Sequence, residues 1–244
     1  MRVPRVYLDA DIQSGQLLRL PVRQSNYLCK VLRMHSGREL WLFNGRGGAW
    51  LCQIDEADAK RAIVSVGELD QENYESPLQL ELVIALSKGD RFEFVLQKAT
   101  ELGVTRIQPM VTEHTEVKLN AERLNKKHEH WQGILISACE QSGRNRVPKL
   151  LPVKSFGDLL VQPSDMTGIL LDPQAKQGLS VLNKRPENGL RLYIGPEGGF
   201  SEAETDQAKK SGLQGIRLGP RVLRTETAPL AIISILQANF GDLS

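Results

Sequence analysis

The chain has little cysteine, few aromatic residues and no surplus of either charge. Its three cysteines, Cys29, Cys52 and Cys139, are odd in number and form no C-x-x-C pair. That argues against a disulfide framework and against a cysteine zinc site, and the expectation is reduced thiols in a cytoplasmic protein. Lysine and arginine (31) nearly balance aspartate and glutamate (29). Net charge therefore names no partner, and a nucleic-acid reading must rest on where the basic residues sit. No uninterrupted apolar run reaches membrane-spanning length, and the opening "MRVPRVYLDA" lacks the apolar core of a signal peptide. No membrane partner is expected. His128 and His130 stand two apart on an expected helix and point to different faces, while His35 and His114 stand alone, so no metal site is expected. Neither a phosphate-cradling G-x-x-x-x-G-K-[ST] nor a dinucleotide G-x-G-x-x-G is present.

What is there is ordinary for a soluble globular protein: 41% hydrophobic and 25% charged residues, enough to build a sizeable core. A length of 244 residues suits one large domain or two modest ones. The first seventy residues read as β. "RVYLD", "QLLRLP", "ELWLFNG", "AWLCQI" and "AIVSVGEL" are short, partly alternating runs separated by Gly, Asp and Asn. "QSNYLCKVLRM" interrupts them with helical spacing. A small barrel over residues 1–72 is the expected architecture. After a polar linker ending in Pro77 the rhythm changes over residues 73–244 to strands alternating with helices, which means an α/β domain with a mostly parallel sheet. Its strands are "LQLELVIAL", "VTRIQPMV", "GILLD", "RLYIG" and "GIRLG". Its helices are "RFEFVLQKATELG", stopped by Gly103, a long one capped by Asn120, and a final "APLAIISILQANF". That last helix is apolar nearly all round, so a second subunit is expected to cover part of it.

Two turns stand out. Gly195-Pro196-Glu197-Gly198-Gly199 follows a buried strand, and Ser201 with Glu204 spells a capping box that starts a helix near Glu202. The glycines let a ligand approach the main chain, and Pro196 stiffens the turn. A bare loop with one carboxylate suits a neutral or cationic ligand, adenosine on a sulfonium rather than ATP; taken alone, the segment also reads as an ordinary tight turn. The second stretch, "LGPRVLRTETAP", repeats the plan with Arg221 and Arg224 ahead of a helix capped by Thr227. Loops that follow parallel strands share one sheet edge, where ligands bind in open α/β folds.

With these residues in view, "IGPEGGFSEAE" and "LGPRVLRTETA" resemble the SPOUT superfamily of methyltransferases. Within it the chain resembles the bacterial small-subunit (16S) ribosomal RNA uracil-N3 methyltransferases. "MRVPRVY", "VLRM", "KGDRFEFVLQKATELGV" and "EQSGRNRVP" are similar to that family in order and spacing, so the likeness covers nearly the whole chain. The resemblance implies a PUA/OB-like barrel, a trefoil-knotted C-terminal domain and a homodimer. It also implies S-adenosyl-L-methionine as cofactor, touching Leu171, the turn containing Gly195, Pro196, Glu197 and Gly199, and Leu218, Gly219, Leu223 and Thr225. The implied partner is 16S ribosomal RNA or the small ribosomal subunit.

Uracil N3 carries a proton and is a poor nucleophile until that proton leaves. A carboxylate, Glu197 or Glu226, is expected to accept it, and Arg224 (or Arg221) to stabilise charge on O2 or O4. Helix N-terminal electrostatics is the plain alternative for Glu226. Basic residues away from the turns support an RNA partner: Arg2, Arg5, Lys30 and Arg33 in the first domain, Lys88, Arg91, Arg144 and Arg146 in the second. Lys30 and Arg33, three apart, are expected to share a helical face. The "SGRNRVP" loop after Gly143 is expected to embrace RNA.

Overall fold

The computed structural model of the chain describes residues 3–117 and 120–243; Arg2 lies outside them. The chain divides into two compact units, one running up to Glu75 and including Cys139–Val147, the other comprising Ser76–Ala138 and the chain from Pro148 onward.

The first unit holds β1 (Arg5–Tyr7), β2 (Leu17–Arg19), α1 (Val22–Asn26), β3 (Glu39–Phe43), β4 (Ala49–Glu56) and β5 (Ile63–Asp70). The strands lie in the order β1-β3-β4-β5-β2, with β1 and β3 parallel and the other pairs antiparallel. One core takes a side chain from every strand: Val6, Leu18, Leu42, Ile54 and Val64 among them. That convergence is what a small barrel requires, although no β1–β2 pairing closes it among the described residues. The expected helical turn is present but changes type. From Tyr27 to Val31 it is π-helical, with Leu32 N–H donating to the Tyr27 carbonyl at 2.9 Å. Arg33 then takes a left-handed conformation (φ 53°). Lys30 and Arg33 therefore do not share a regular helical face, because the wider turn ends before Arg33.

Residues 139–147 belong to this unit through specific bonds. Tyr7 N–H donates to Glu140 at 3.0 Å, Gly47 N–H to the Asn145 carbonyl at 3.2 Å, and Arg46 and Arg146 form an antiparallel bridge. Cys139 sits against Phe43 and Ala49.

In the second unit β6 (Leu80–Ala85), α2 (Asp90–Glu101), β7 (Arg106–Val111) and the start of α3 (Ala121–Ser142) come first. Short β8 (Lys149–Leu150), β9 (Lys154–Ser155) and α4 (Phe156–Val161) follow, then β10 (Thr167–Leu171), β11 (Leu190–Ile194), α5 (Glu202–Lys210), β12 (Gln214–Ile216) and α6 (Thr227–Phe240). The sheet runs β12-β10-β11-β6-β7-β8 with every pair parallel. β6 and β11 are buried along their whole length, which explains why they are apolar apart from one residue each, Glu81 and Arg191, which pair with one another. The local signals act as expected: Gly103 (φ 84°) ends the α2 region, and the Asn120 side chain accepts the Arg123 N–H at 2.9 Å. Trp131, Leu135 and Ala138 of α3 are buried. β12 begins one residue before the expected "GIRLG" run and ends at Ile216. Among the described residues no helix is long and apolar enough to cross a membrane.

Burial accounts for the state of two cysteines. It pushes the Cys52 thiol up to about 11 and the Cys139 thiol up to about 12, from an ordinary 9.0. The folded chain thus keeps protons that the unfolded chain releases above pH 9. The stability these thiols contribute is present below that pH and is lost as pH rises through 11 and 12. A denaturant midpoint that falls on going from pH 9 to pH 11 is expected. In the native protein at pH 8, a thiol reagent is expected to spare Cys52 and Cys139; rapid labelling of either would contradict the burial.

Candidate functional site

Five parallel strands end on one edge of the second unit's sheet, and the loops after β6, β7, β10, β11 and β12 gather there. The register Ile84↔Ile194 and Leu170↔Tyr193 makes β6 and β10 the two neighbours of β11. The turn after β11 is residues 195–200. Gly199 N–H donates to the Pro196 carbonyl at 2.9 Å, which closes the turn. The capping box of Ser201 and Glu204 forms with both of its bonds and starts α5 at Glu202. Glu204 does more than cap: its Oε1 accepts the Glu113 N–H at 2.9 Å. His114 Nδ1 lies 3.1 Å from the Gly198 carbonyl, and a Cβ at Gly198 would come 3.1 Å from the His114 Cβ. The β7 loop thus props the β11 turn from one side, a role that a lone histidine did not announce.

The second stretch, residues 217–226, runs from β12 into α6. The Thr227 and Ala228 N–H groups both donate to the Arg224 carbonyl at 2.9 Å. α6 starts at Thr227 itself, so Thr227 is not the cap. Glu226 occupies that position in helical geometry, and its side chain makes no capping bond. Its carboxylate lies near two arginines, with Oε1 3.9 Å from Arg224 Nη1 and 4.0 Å from Arg91 Nε.

Those partners tie the two turns together. Arg91, in the first turn of α2, places Nη1 3.2 Å from Glu197 Oε1 and Nε 4.0 Å from Glu226 Oε1. Arg224 Nη1 lies 3.9 Å from the same Glu226 oxygen. The Glu226 side chain is 18% exposed, against 43% for Glu197 and 79% for Arg224. Its second oxygen, Oε2, is buried and has no hydrogen-bond partner among the described residues. A buried carboxylate oxygen left bare is costly unless a ligand or substrate group meets it. Glu197 is therefore not a lone carboxylate, and Arg91, grouped on sequence with residues distant from the turns, stands between them.

Two glycines leave the main chain of the turns open. Gly199 (φ 69°) and Gly219 (φ 71°) are left-handed, and a Cβ built on either would meet nothing described within 4 Å. Open space over two bare backbone turns lets a ligand lie against the main chain. Leu171 is almost wholly buried at the end of β10, Pro196 and Thr225 are buried, and Leu218 and Leu223 are half-buried. Apolar flanks with main-chain polar groups and no dedicated phosphate cradle fit a neutral nucleoside carrying a cationic sulfonium. Among the described residues no group of three or more His, Cys, Asp and Glu is arranged to hold a metal ion.

The basic residues fall into two kinds. Lys30, Arg33 and Arg146 are exposed. Lys88 is also exposed and pairs with Glu116. Arg144 is buried, with its guanidinium on Glu75 through Nε at 3.0 Å and Nη2 at 2.5 Å. Arg5 bonds Asn145 and lies over the Phe43 ring at 5.3 Å. The "SGRNRVP" loop therefore turns Arg144 inward as structural support, and a phosphate contact there would have to displace a carboxylate. Sequence could not separate the two kinds, because the acidic partner of Arg144 lies 69 residues away.

A family model described as RNA methyltransferase domain matches residues 74–237, and one described as RNA methyltransferase PUA domain matches residues 20–67. The chain is 36% identical to the ribosomal RNA small subunit methyltransferase E of Buchnera aphidicola subsp. Schizaphis graminum, covering 100% of this chain and 99% of that protein. It is 32% identical to the protein of the same name from Bacillus subtilis, covering 93% and 91%. Among solved structures, the Neisseria gonorrhoeae ribosomal RNA small subunit methyltransferase E bound to S-adenosyl methionine is 38% identical. Its TM-score is 0.93, with 100% of both chains covered. A Legionella pneumophila protein solved with bound SAM is 39% identical with a TM-score of 0.94, again over 100% of both chains.

Proposed function

The chain belongs to the ribosomal RNA small subunit methyltransferase E family, and from that premise we propose that it transfers a methyl group from S-adenosylmethionine to N3 of a uridine in 16S ribosomal RNA. The observation that carries the chemical reading is the bare, buried Oε2 of Glu226 beside two arginines, between two open glycine turns.

Bound over the turns of Gly195–Gly199 and Leu218–Thr225, the cofactor supplies an electrophilic methyl group on a sulfonium. The chain's own residues then have two tasks. Glu226 accepts the N3 proton of uracil on Oε2, so that the N3 lone pair can form the new N–C bond as the S–C bond breaks. Glu197 suits that role less, because Arg91 engages its Oε1 and its side chain is more open to water. Arg224, largely exposed and only loosely paired with Glu226, is placed to stabilise negative charge on O2 or O4 of the uracil ring. Much of the rate comes from holding N3 in line with the methyl group.

The exposed Lys30, Arg33 and Arg146, with Lys88, are the candidates for phosphate contacts, and the target base must leave its stack to reach the site. A homodimer extends the reading. α6 buries Pro229, Ile232, Ile233, Leu236 and Gln237 within its own chain, yet Ile235 remains 39% exposed on the other face. Sedimentation as a monomer at micromolar concentration would remove that part. The chain is read as a cytoplasmic enzyme.

The test uses the purified protein, methyl-labelled S-adenosylmethionine and small ribosomal subunits lacking the modification, followed by nucleoside mass spectrometry. Label in 3-methyluridine is the expected result. Label on ribose or guanine would leave the fold and overturn the base specificity.

A further inference from the structure

We infer that Arg91 is the positioning residue of this site. It holds Glu226 so that one oxygen is neutralised and the other stays free for the substrate proton. The inference rests on Glu226 being the proton acceptor.

Arg91 comes from neither turn. It stands one residue into α2, and two packing relations bring it to the site. β6, which leads into α2, pairs in parallel with β11, so the β6 loop and the 195–200 turn emerge side by side. α2 also packs on α6, which brings its first turn near Glu226 at the start of that helix. The guanidinium meets one carboxylate with Nη1 (Glu197, 3.2 Å) and faces the other with Nε (Glu226, 4.0 Å). Its planar, forked donors can serve two acceptors in different directions, which the single ammonium of a lysine cannot reproduce.

The Arg91–Glu197 pair alone would be unremarkable. Both side chains are about half exposed, and such pairs contribute little stability. The more enclosed Glu226 sets this one apart. Without Arg91, Glu197 and Glu226 would face one another across the gap between the turns, with Arg224 left as the counter-charge among the described residues. Their repulsion would swing Glu226 away, and its bare Oε2 would lose its aim. The loss would be one of geometry at the proton acceptor and not of cofactor or RNA contact.

Arg91→Gln is expected to lower kcat by about 100-fold, the cost of an ångström-scale misplacement. The KM for the small subunit, calorimetric affinity for S-adenosylmethionine and thermal midpoint should change little. Arg91→Lys, which keeps the charge without the fork, should recover only part of the loss, and it carries the test if Arg91→Gln does not fold. The deciding measurement is the double variant. If Arg91 acts through Glu226, Arg91→Gln added to Glu226→Gln lowers kcat little beyond Glu226→Gln alone. Multiplying effects, with Glu226→Gln itself impaired, would overturn the role of Arg91 and leave Glu226 as acceptor. Full activity in Glu226→Gln would instead remove the acceptor reading on which the inference rests. A raised KM for the subunit with unchanged kcat in Arg91→Gln would make Arg91 an RNA contact and overturn the inference.

Discussion

Arg224→Ala is expected to lower kcat by about 10²–10³-fold while the affinity for S-adenosylmethionine stays nearly unchanged, the range seen when one donor to a developing oxyanion is removed. The separation follows from where the side chain lies. Arg224 is 79% exposed, and its contact in the folded chain is a 3.9 Å approach to Glu226. An ion pair of that kind adds little to stability, so the variant should fold normally. The expected cofactor flanks are Leu171, Leu218, Leu223 and the two glycine turns, which do not depend on the guanidinium. Single-turnover rates with saturating cofactor, alongside calorimetric binding, would read the two quantities separately. Unchanged turnover would end the proposed role. A parallel loss of cofactor affinity would place Arg224 at the cofactor instead of the base. Glu226→Gln is the companion: it keeps the shape and removes the proton acceptor, with a loss of about 10²–10⁴-fold expected in kcat.

The largest effect on stability is expected from Glu81. It is the second residue of β6, in register with Arg191 of β11 on one side and Arg106 of β7 on the other. Its carboxylate accepts from Arg191 Nε at 3.0 Å and faces Arg106 Nε at 3.3 Å. The Glu81 and Arg191 side chains are 2% and 5% exposed, and Arg191 also lies 5.5 Å from the Tyr193 ring centre. Glu81→Ala would leave the Arg191 guanidinium buried without its counter-charge, at a cost of about 3–5 kcal/mol. Joint replacement of Glu81 and Arg191 by leucine should recover most of that, since apolar pairs of similar volume replace buried ion pairs with little net loss. Chemical denaturation of the three proteins decides it. A loss below about 1 kcal/mol for Glu81→Ala, the range of an exposed pair, would show that the pair is not desolvated. Because Glu81 lies in a strand and outside the turns, the folded fraction of each variant should retain its turnover.

The order of strands and helices, the caps at Asn120 and Ser201 and the two glycine-proline turns were legible in the sequence, because each is encoded within a few residues. Periodicity shows where β6 and α2 lie, and a capping box needs only its own four positions. The short β8, β9 and α4 carry too few residues for a period to appear. The π-helical turn at Tyr27–Val31 depends on how the chain re-enters the first core, which alternation does not record. The family likeness was carried by motifs spread over the whole chain, and the match to the Buchnera relative covers 100% of this chain and 99% of that protein. What only the tertiary structure decided is which charge meets which. Arg91 stands between Glu197 and Glu226, partners 106 and 135 positions away, while Arg144 turns inward to Glu75. Electrostatic partnership depends on distance in space and on exclusion of water, and a linear pattern of arginines and glutamates carries neither.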